Sequence, residues 1–242
     1  MGTPDFAVPP LDALAQAGHE IAAVYTQPDR PKGRGHRMVA PPVKEKAIEL
    51  GLTVAQPEGF RDCAVVDALR ALQPEVIVVA AYGRLLPQSV LDIPSLGCVN
   101  IHASLLPRLR GAAPIQWAIL RGDTVTGVTT MLMAAGLDTG DILMKQDTAI
   151  DPNEDAASLY DRLSRMGAEL ILPTLEGLQD KTLTPTPQDH AASTYAPMLD
   201  KSLSDISWNK SAQEVHNQVR GLSPWPGAST LLDGKRLKIH QT

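Results

Sequence analysis

Short apolar runs alternate with segments of helical periodicity along most of the chain. The apolar runs predict strands at residues 21–25, 52–55, 76–80, 98–101, 126–133 and 142–146. Apolar positions at helical spacing predict helices at residues 8–17, 43–50, 62–72, 113–121 and 156–178. Because apolar strands alternate with helices, we expect an α/β fold with a doubly wound, mostly parallel sheet. Residues 182–187 predict a linker or an edge strand.

The chain after residue 190 has a different pattern and predicts a smaller piece. We place the domain boundary near Ala191, so that residues 1–190 form the first domain and residues 191–242 follow it. In the second piece, residues 211–220 predict a helix. Short apolar runs then flank Asp233-Gly234, a pair that is typical of hairpin turns.

Composition and charge bound the possible functions. The 242 residues are 43% hydrophobic and carry a net charge of −5, which argues against a surface that binds polyanions everywhere. Cys63 and Cys98 are far apart, and the six histidines are scattered, so we expect no metal site. No apolar run approaches the ~20 residues that cross a bilayer, and no signal peptide is visible. We therefore expect a cytoplasmic protein that does not bind membranes.

Three polar residues around two predicted strands form a candidate site. Asn100 and His102 are two residues apart at the end of the strand at 98–101, so their side chains point to the same face. Asp138 lies in a glycine-containing loop after the strand at 126–133. Each residue alone also fits a structural role, such as a turn or a hydrogen-bonded histidine. Together, an amide, an imidazole and a carboxylate without a nucleophilic Ser or Cys suggest direct group transfer.

Residues 26–41 predict a long loop whose middle is basic. Its basic side chains, with no acidic residue among them, are Arg30, Lys32, Arg34 and Arg37. Such a loop in an acidic protein is a candidate phosphate contact, although charge runs are also typical of solvated loops. It lacks the Lys-Ser/Thr ending of a P-loop, and no GxGxxG motif supports a nicotinamide cofactor.

Several longer motifs resemble a known family. They are NIHASLLP at residues 100–107, RGAAPIQ at 110–116, GVT at 127–129 and GLDTGD at 136–141. These motifs resemble the formyltransferases that use 10-formyltetrahydrofolate. Three further segments resemble the branch of that family that formylates initiator methionyl-tRNA for translation initiation. They are GTPDF at residues 2–6, TQPDRP at 26–31 with GRG at 33–35, and PWPG at 224–227. The resemblance covers nearly all of the chain.

The resemblance implies a fold and a set of catalytic residues. The family's Asn, His and Asp fall on Asn100, His102 and Asp138. Moving a formyl group to an amine passes through a tetrahedral oxyanion, which an amide donor stabilises by ~3 kcal/mol. The imidazole either donates to the same oxygen or carries the proton, and both roles stay open. The implied fold is a Rossmann-like formyltransferase fold with the start of a C-terminal, OB-like β-barrel.

The resemblance also implies binding residues for two substrates. The segments that match the family's folate contacts are Arg84, Leu85 and Leu86, and Ser104, Leu105, Leu106 and Pro107. Without the resemblance, these Leu-Leu-Pro runs are ordinary loops that end strands. The basic loop corresponds to the family's loop that enters the acceptor stem of the tRNA, and Arg34 matches its central arginine. Lys235, Arg236 and Lys238 form a second basic cluster that could contact the tRNA.

The chain departs from the family pattern at both ends. Family members have an apolar strand before GTPDF, and here only Met1 precedes Gly2. The sequence also ends at Thr242, before most of the implied barrel. We expect the sequence to be part of a longer chain, and we expect unpaired backbone groups and apolar surface where that strand would lie. The predicted enzyme uses 10-formyltetrahydrofolate as a co-substrate and acts as a monomer. The alternatives are a sugar-nucleotide or small-amine N-formyltransferase, a 10-formyltetrahydrofolate hydrolase, and a catalytically silent RNA-binding module.

Overall fold

The computed structural model describes residues 1–32 and 37–242. Its strands are β1 (Val24–Tyr25), β2 (Arg30–Lys32), β3 (Arg37–Val39), β4 (Val54–Ala55), β5 (Ile77–Val79), β6 (Cys98–His102), β7 (Arg110–Gly111), β8 (Val125–Leu132), β9 (Ile142–Ala149), β10 (Tyr195–Ala196), β11 (Ala228–Leu232) and β12 (Lys235–Ile239). Its α-helices are α1 (Val8–Gln16), α2 (Pro42–Glu49), α3 (Cys63–Ala71), α4 (Gln88–Leu91), α5 (Pro114–Leu120), α6 (Ala156–Gln179) and α7 (Ala212–Gly221). The predicted strands and helices are confirmed with small shifts of their ends.

The chain forms two compact units. The first contains Met1–His102, Thr129–Lys145 and Ser164–Gln188, and the second contains Ala103–Val128, Gln146–Leu163 and Asp189–Thr242. None of the helices within residues 1–32 and 37–242 has the length and apolar character that a membrane span requires.

The largest sheet has four strands in the order β5-β6-β8-β9. β5 runs parallel to β6, with Val79 beside Asn100, whereas β6 and β8 are antiparallel, with His102 beside Thr129. The sheet is therefore mixed, and the prediction of a mostly parallel sheet is wrong for this part. Hydrophobic periodicity could not show this, because a buried strand has the same pattern in either direction.

The first two residues lie between β1 and β5. Gly2 N donates to Tyr25 O over 3.0 Å, and Ala80 N donates to Met1 O over 2.9 Å. A Cβ atom on Gly2 would lie 2.4 Å from Cβ of Ala7, so this close approach requires glycine. A cavity of about 530 Å³ with mainly apolar walls, including Leu11, lies beside this segment.

The predicted loop at residues 26–41 contains regular structure. β2 and β3 pair as an antiparallel hairpin, with Arg30 opposite Val39. The prediction of a loop without strands is therefore wrong for these residues. Proline and charged side chains have low strand propensity, so the hairpin could not be predicted from composition alone.

The second unit contains α5, α7 and the β11–β12 hairpin. α7 begins with a capping box in which Ser211 and Glu214 satisfy each other's backbone N–H groups. The predicted hairpin is confirmed, and both residues of its Asp233-Gly234 turn have positive φ. The strands in the described part of this unit do not close into a barrel, so the predicted barrel is not confirmed.

Candidate active site

β6 carries two of the predicted site residues on one face. Side chains alternate along a strand, and the register places Asn100 beside Met131 and His102 beside Thr129. The His102 side chain is only 7% exposed. A buried strand between two neighbours therefore holds the amide and the imidazole in fixed positions.

The structure brings Asp138 to this strand end. Oδ2 of Asp138 lies 3.8 Å from Nδ1 of His102, and its side chain is 14% exposed. This distance is within the range of an ion pair but longer than a direct hydrogen bond. Because both groups are largely shielded from water, the attraction between a carboxylate and an imidazolium is stronger here than at the surface.

The loop that carries Asp138 has little freedom. Asp138 adopts a positive φ of 49°, in the left-handed region that Asp tolerates better than most residues. A Cβ atom on Gly140 would lie 1.8 Å from the carbonyl oxygen of Leu132, so only glycine fits there. Leu132 N also donates to Asp141 O over 2.9 Å, which closes the loop against β8.

Sequence reasoning missed one residue beside this loop. Gln188 is 6% exposed. Its Nε2 donates to the carbonyl oxygens of Asp138 and Gly140, over 2.9 and 2.7 Å. No local motif could have identified Gln188, because it acts on a loop about fifty residues earlier in the chain.

The first predicted folate segment follows β5. Arg84 is exposed and the Leu85 side chain is 74% exposed, whereas Leu86 is buried in the core with Val79 and Val90. β5 neighbours β6, so the segment leaves the same sheet that carries Asn100. Arg84 and Leu85 are therefore the members of this segment whose side chains a ligand can reach.

The second predicted folate segment belongs to the second unit. Ser104 is fully buried, and its Oγ donates to Arg108 O over 2.7 Å. Leu106 is only 1% exposed, whereas Leu105 and Pro107 are half-buried. The side chains of Ser104 and Leu106 thus serve the packing of this loop.

Hydrogen bonds fix the base of the β2–β3 hairpin, which we call the basic hairpin. Nη2 of Arg30 donates to Oε1 of Gln27. Nε2 of Gln27 donates to Tyr82 O over 2.9 Å and to Gly83 O over 3.2 Å. The backbones of Lys32 and Arg37 pair in the hairpin, but their side chains lie outside what the structure describes. Arg34 also lies outside the described residues.

A partly buried carboxylate network supports the same hairpin base. Oδ1 of Asp29 accepts from Nε2 of Gln56 over 2.7 Å, and Oδ2 accepts from Nζ of Lys44 over 2.7 Å. The hydrogen bonds from Gln56 and Lys44 hold the pKa of Asp29 below its usual value. A cavity of about 430 Å³ lies beside this base, with Gln27 and Arg30 among its lining residues.

The nearest thiol is not available as a nucleophile. Cys98 is on β6, and burial raises its pKa to about 12. The thiol is therefore neutral at physiological pH. Within the described part of the chain, no group of three or more His, Cys, Asp or Glu side chains could hold a metal ion.

The structure thus brings an amide, an imidazole and a carboxylate to one end of a sheet strand. Residues 1–175 match the family model of formyl transferases, and residues 198–242 match that of the formyl transferase C-terminal domain. The chain therefore belongs to the formyl transferase family, a family of enzymes, as the motifs predicted.

Curated relatives agree with this assignment. The chain is 56% identical over 242 residues to methionyl-tRNA formyltransferase of Pelobacter propionicus, covering 100% of this chain and 76% of that protein. It is 57% identical over 241 residues to methionyl-tRNA formyltransferase of Geobacter metallireducens, covering 100% of this chain and 78% of that protein.

The fold is also similar to that of an N-formyltransferase from Helicobacter canadensis, solved in complex with folinic acid and dTDP-3-aminofucose. The TM-score is 0.73 at 19% identity, and the match covers 99% of this chain and 84% of that chain.

Proposed function

We propose that the protein transfers the formyl group of 10-formyltetrahydrofolate to the α-amino group of methionyl initiator tRNA. The chain is 56% and 57% identical to two enzymes named methionyl-tRNA formyltransferase, and each match covers all of it. The observation that carries the chemistry is the approach of Asp138 Oδ2 to within 3.8 Å of His102 Nδ1 at the end of β6.

Asn100, His102 and Asp138 are the proposed catalytic residues. The amine nitrogen forms a bond to the formyl carbon, and the carbonyl oxygen becomes a tetrahedral oxyanion. The side-chain N–H₂ of Asn100 donates to that oxyanion, which such a donor stabilises by ~3 kcal/mol. His102 takes the proton from the attacking amine and delivers it to the departing N10, whose bond to the formyl carbon breaks. The Asp138 carboxylate orients the ring.

The two segments that match the family's folate contacts are the proposed folate-binding residues. In the first segment, the exposed Arg84 and Leu85 offer a cation and an apolar surface to the ligand, whereas Leu86 supports them from the core. In the second segment, Ser104–Pro107, the buried side chains shape the loop, so its backbone groups and the half-buried Leu105 and Pro107 make the contacts. A flat pterin is typically held by apolar walls and backbone hydrogen bonds.

The tRNA binds to the basic hairpin. Arg30, Lys32, Arg34 and Arg37 concentrate positive charge in a chain whose net charge is −5, and a local patch of this kind attracts phosphate groups. The hydrogen bond from Arg30 to Gln27 ties this charge to the loop after β5. Lys235, Arg236 and Lys238 on β12 form a second, smaller contact.

Two successive parts of the chain have different proposed roles. Residues 1–190 form the catalytic domain, and residues 191–242 form a linker and the beginning of a tRNA-binding barrel. Separate family models for residues 1–175 and 198–242 support this division. The protein acts as a monomer in the cytoplasm, where its tRNA substrate is made and used.

Formyl transfer to methionyl initiator tRNA by the wild type and by Asn100→Ala tests this proposal. Loss of the oxyanion donor should lower kcat about 100-fold or more. Asn209→Ala is the control, since Asn209 is exposed in the second unit. Equal kcat for Asn100→Ala and the wild type would remove Asn100 from the mechanism. No transfer by the wild type would refute the proposed activity.

A further inference from the structure

The residues from Thr186 to Gln188 lie beside the start of β9 and contact the loop that carries Asp138. Thr186 and Ile142 form an antiparallel bridge with two backbone hydrogen bonds of 2.8 Å, at the start of β9. In an antiparallel register, moving two residues forward on one strand means moving two residues back on the other. The bridge therefore brings Gln188, two residues after Thr186, close to Gly140, two residues before Ile142, which agrees with the hydrogen bond from Gln188 to Gly140 O.

The Gln188 side chain holds two carbonyl groups of that loop at once. Its amide nitrogen donates to Asp138 O over 2.9 Å and to Gly140 O over 2.7 Å, and the residue is 6% exposed. Losing a donor to a buried carbonyl costs free energy, so each bond favours the observed loop conformation. Asp138 has a positive φ, and the two bonds lie on either side of Thr139. Gln188 thus fixes the backbone from which the Asp138 carboxylate projects.

We propose that Gln188 is a positioning residue that keeps the Asp138 carboxylate directed at His102. The proposal rests on the role of Asp138 in the proposed function. The gap between the carboxylate and the imidazole is already 3.8 Å, so a small relaxation of the loop breaks the interaction. A displacement of about 1 Å in a catalytic site can cost about 100-fold in rate.

Gln188→Met tests this role because methionine has a similar length and fills the same space without donating hydrogen bonds. The variant should lower kcat for formyl transfer about tenfold, with the KM values for folate and tRNA changed by less than about twofold. This split is expected because Gln188 supports the reacting groups and not the bound substrates.

Gln218→Met is a matched control. Gln218 is also 6% exposed, and its Nε2 donates to two carbonyl oxygens, those of Leu203 and Asp205, over 2.8 and 3.1 Å. Each variant loses a buried amide that donates to two carbonyl groups, so we expect the melting temperature to fall in both. Only Gln188→Met should change kcat. Equal losses of kcat in both variants would reduce Gln188 to a general structural role.

A double-mutant cycle with Asp138→Asn distinguishes positioning from packing. If Gln188 acts only through the carboxylate, Gln188→Met should lower kcat about tenfold in the wild type and less than about twofold in Asp138→Asn. The same fold-loss in both backgrounds would overturn the proposal, and so would an unchanged kcat of Gln188→Met in the wild type. An unchanged kcat in Asp138→Asn itself would instead refute the proposed role of Asp138, and the proposal for Gln188 with it.

A spectroscopic readout on the resting enzyme does not depend on turnover. The nitrogen-15 chemical shifts of the His102 ring at fixed pH report its hydrogen bonding and tautomer. Gln188→Met should move these shifts in the same direction as Asp138→Asn, and Gln218→Met should leave them in place. Unchanged His102 shifts in Gln188→Met, beside changed shifts in Asp138→Asn, would show that Gln188 does not position the carboxylate.

Discussion

The imidazole Nδ1 of His102 lies 3.8 Å from Oδ2 of Asp138, and both side chains are largely shielded from solvent. The two groups come from β6 and from the loop after β8, which are brought together by the antiparallel pairing of these strands. An imidazole that faces a carboxylate can accept a proton without leaving an uncompensated charge, which is what transfer between an amine and N10 requires.

Replacing this carboxylate should affect turnover and not binding. We expect Asp138→Asn to lower kcat about 100-fold and to leave the KM for the folate within about twofold. Steady-state kinetics over both substrates measures this. Asp123→Asn is the control, because Asp123 is paired with Arg108 in the second unit. A rise in KM without a fall in kcat would show that Asp138 binds substrate and has no part in the proton transfer.

The loop geometry predicts a sharp effect at Gly140. Gly140→Ala would place a Cβ atom 1.8 Å from Leu132 O, so the loop must move away from β8. Since Asp138 moves with it, kcat should fall at least about tenfold.

Gly59→Ala is the control for strain, since its Cβ atom would meet only Nη1 of Arg84, at an ordinary contact distance of 4.0 Å; its kcat is compared at saturating folate because Arg84 is a proposed folate contact. Kinetics and a crystal structure of Gly140→Ala check both parts of the prediction. Full activity of Gly140→Ala would mean that the observed loop position is not needed for catalysis.

Charge in the basic hairpin should set the salt dependence of tRNA binding. Arg34→Ala should weaken binding of the tRNA and reduce the slope of log K against log salt by about one unit. Gln27→Ala should weaken binding as well, because Arg30 loses its hydrogen-bonded support. Filter binding over a range of salt concentrations measures both effects.

The control for the hairpin is Arg70→Ala, which removes an exposed arginine that pairs with Asp67 on α3. Its salt slope should equal that of the wild type. If Arg34→Ala and Arg70→Ala gave the same slope, the hairpin would not contact phosphate groups.

The two cysteines should differ in reactivity. Burial raises the pKa of Cys98 to about 12, whereas Cys63 is exposed. At pH 8, iodoacetamide should modify Cys63 in the folded protein and leave Cys98 unmodified, because only the thiolate reacts. Both should react in guanidinium chloride. Mass spectrometry of the labelled peptides distinguishes these outcomes, and rapid labelling of Cys98 in the native protein would contradict the buried position of β6.

The Asp29 network predicts a pH-dependent contribution to stability. Hydrogen bonds from Gln56 and Lys44 lower the pKa of Asp29 in the folded protein. A lowered pKa stabilises the fold above the unfolded value of about 3.9, and that contribution is lost as the pH falls through the folded pKa. Asp29→Asn should therefore be less stable than the wild type at pH 7, and the difference should shrink below about pH 4. Urea unfolding at several pH values measures it, with Asp67→Asn as an exposed control.

The sequence predicted the parts of the site that depend on local pattern. The alternation along the strand at residues 98–101 placed Asn100 and His102 on one face, and the glycines around Asp138 indicated a loop. The pairing of β8, the strand before that loop, with β6 could not be derived from periodicity, because strand order is a long-range property. The resemblance to formyltransferases supplied only the assignment of Asp138 to the same site as Asn100 and His102.

Two features could not be predicted from the sequence, each for a physical reason. The β2–β3 hairpin contains Pro31 and charged residues, which have low intrinsic strand propensity, so its formation depends on tertiary context. Gln188 acts through its side-chain amide on carbonyl groups about fifty residues away, and no local spacing marks such a contact.

The most direct test of the proposed function is an acceptor competition. Formyl transfer from 10-formyltetrahydrofolate is measured with methionyl initiator tRNA, free methionine and an amino-sugar nucleotide in the same reaction. The proposed function predicts strong preference for the charged tRNA, weakened by Arg34→Ala and abolished by Asn100→Ala. Preferential formylation of the sugar amine would contradict it, because the catalytic site would then serve a different acceptor.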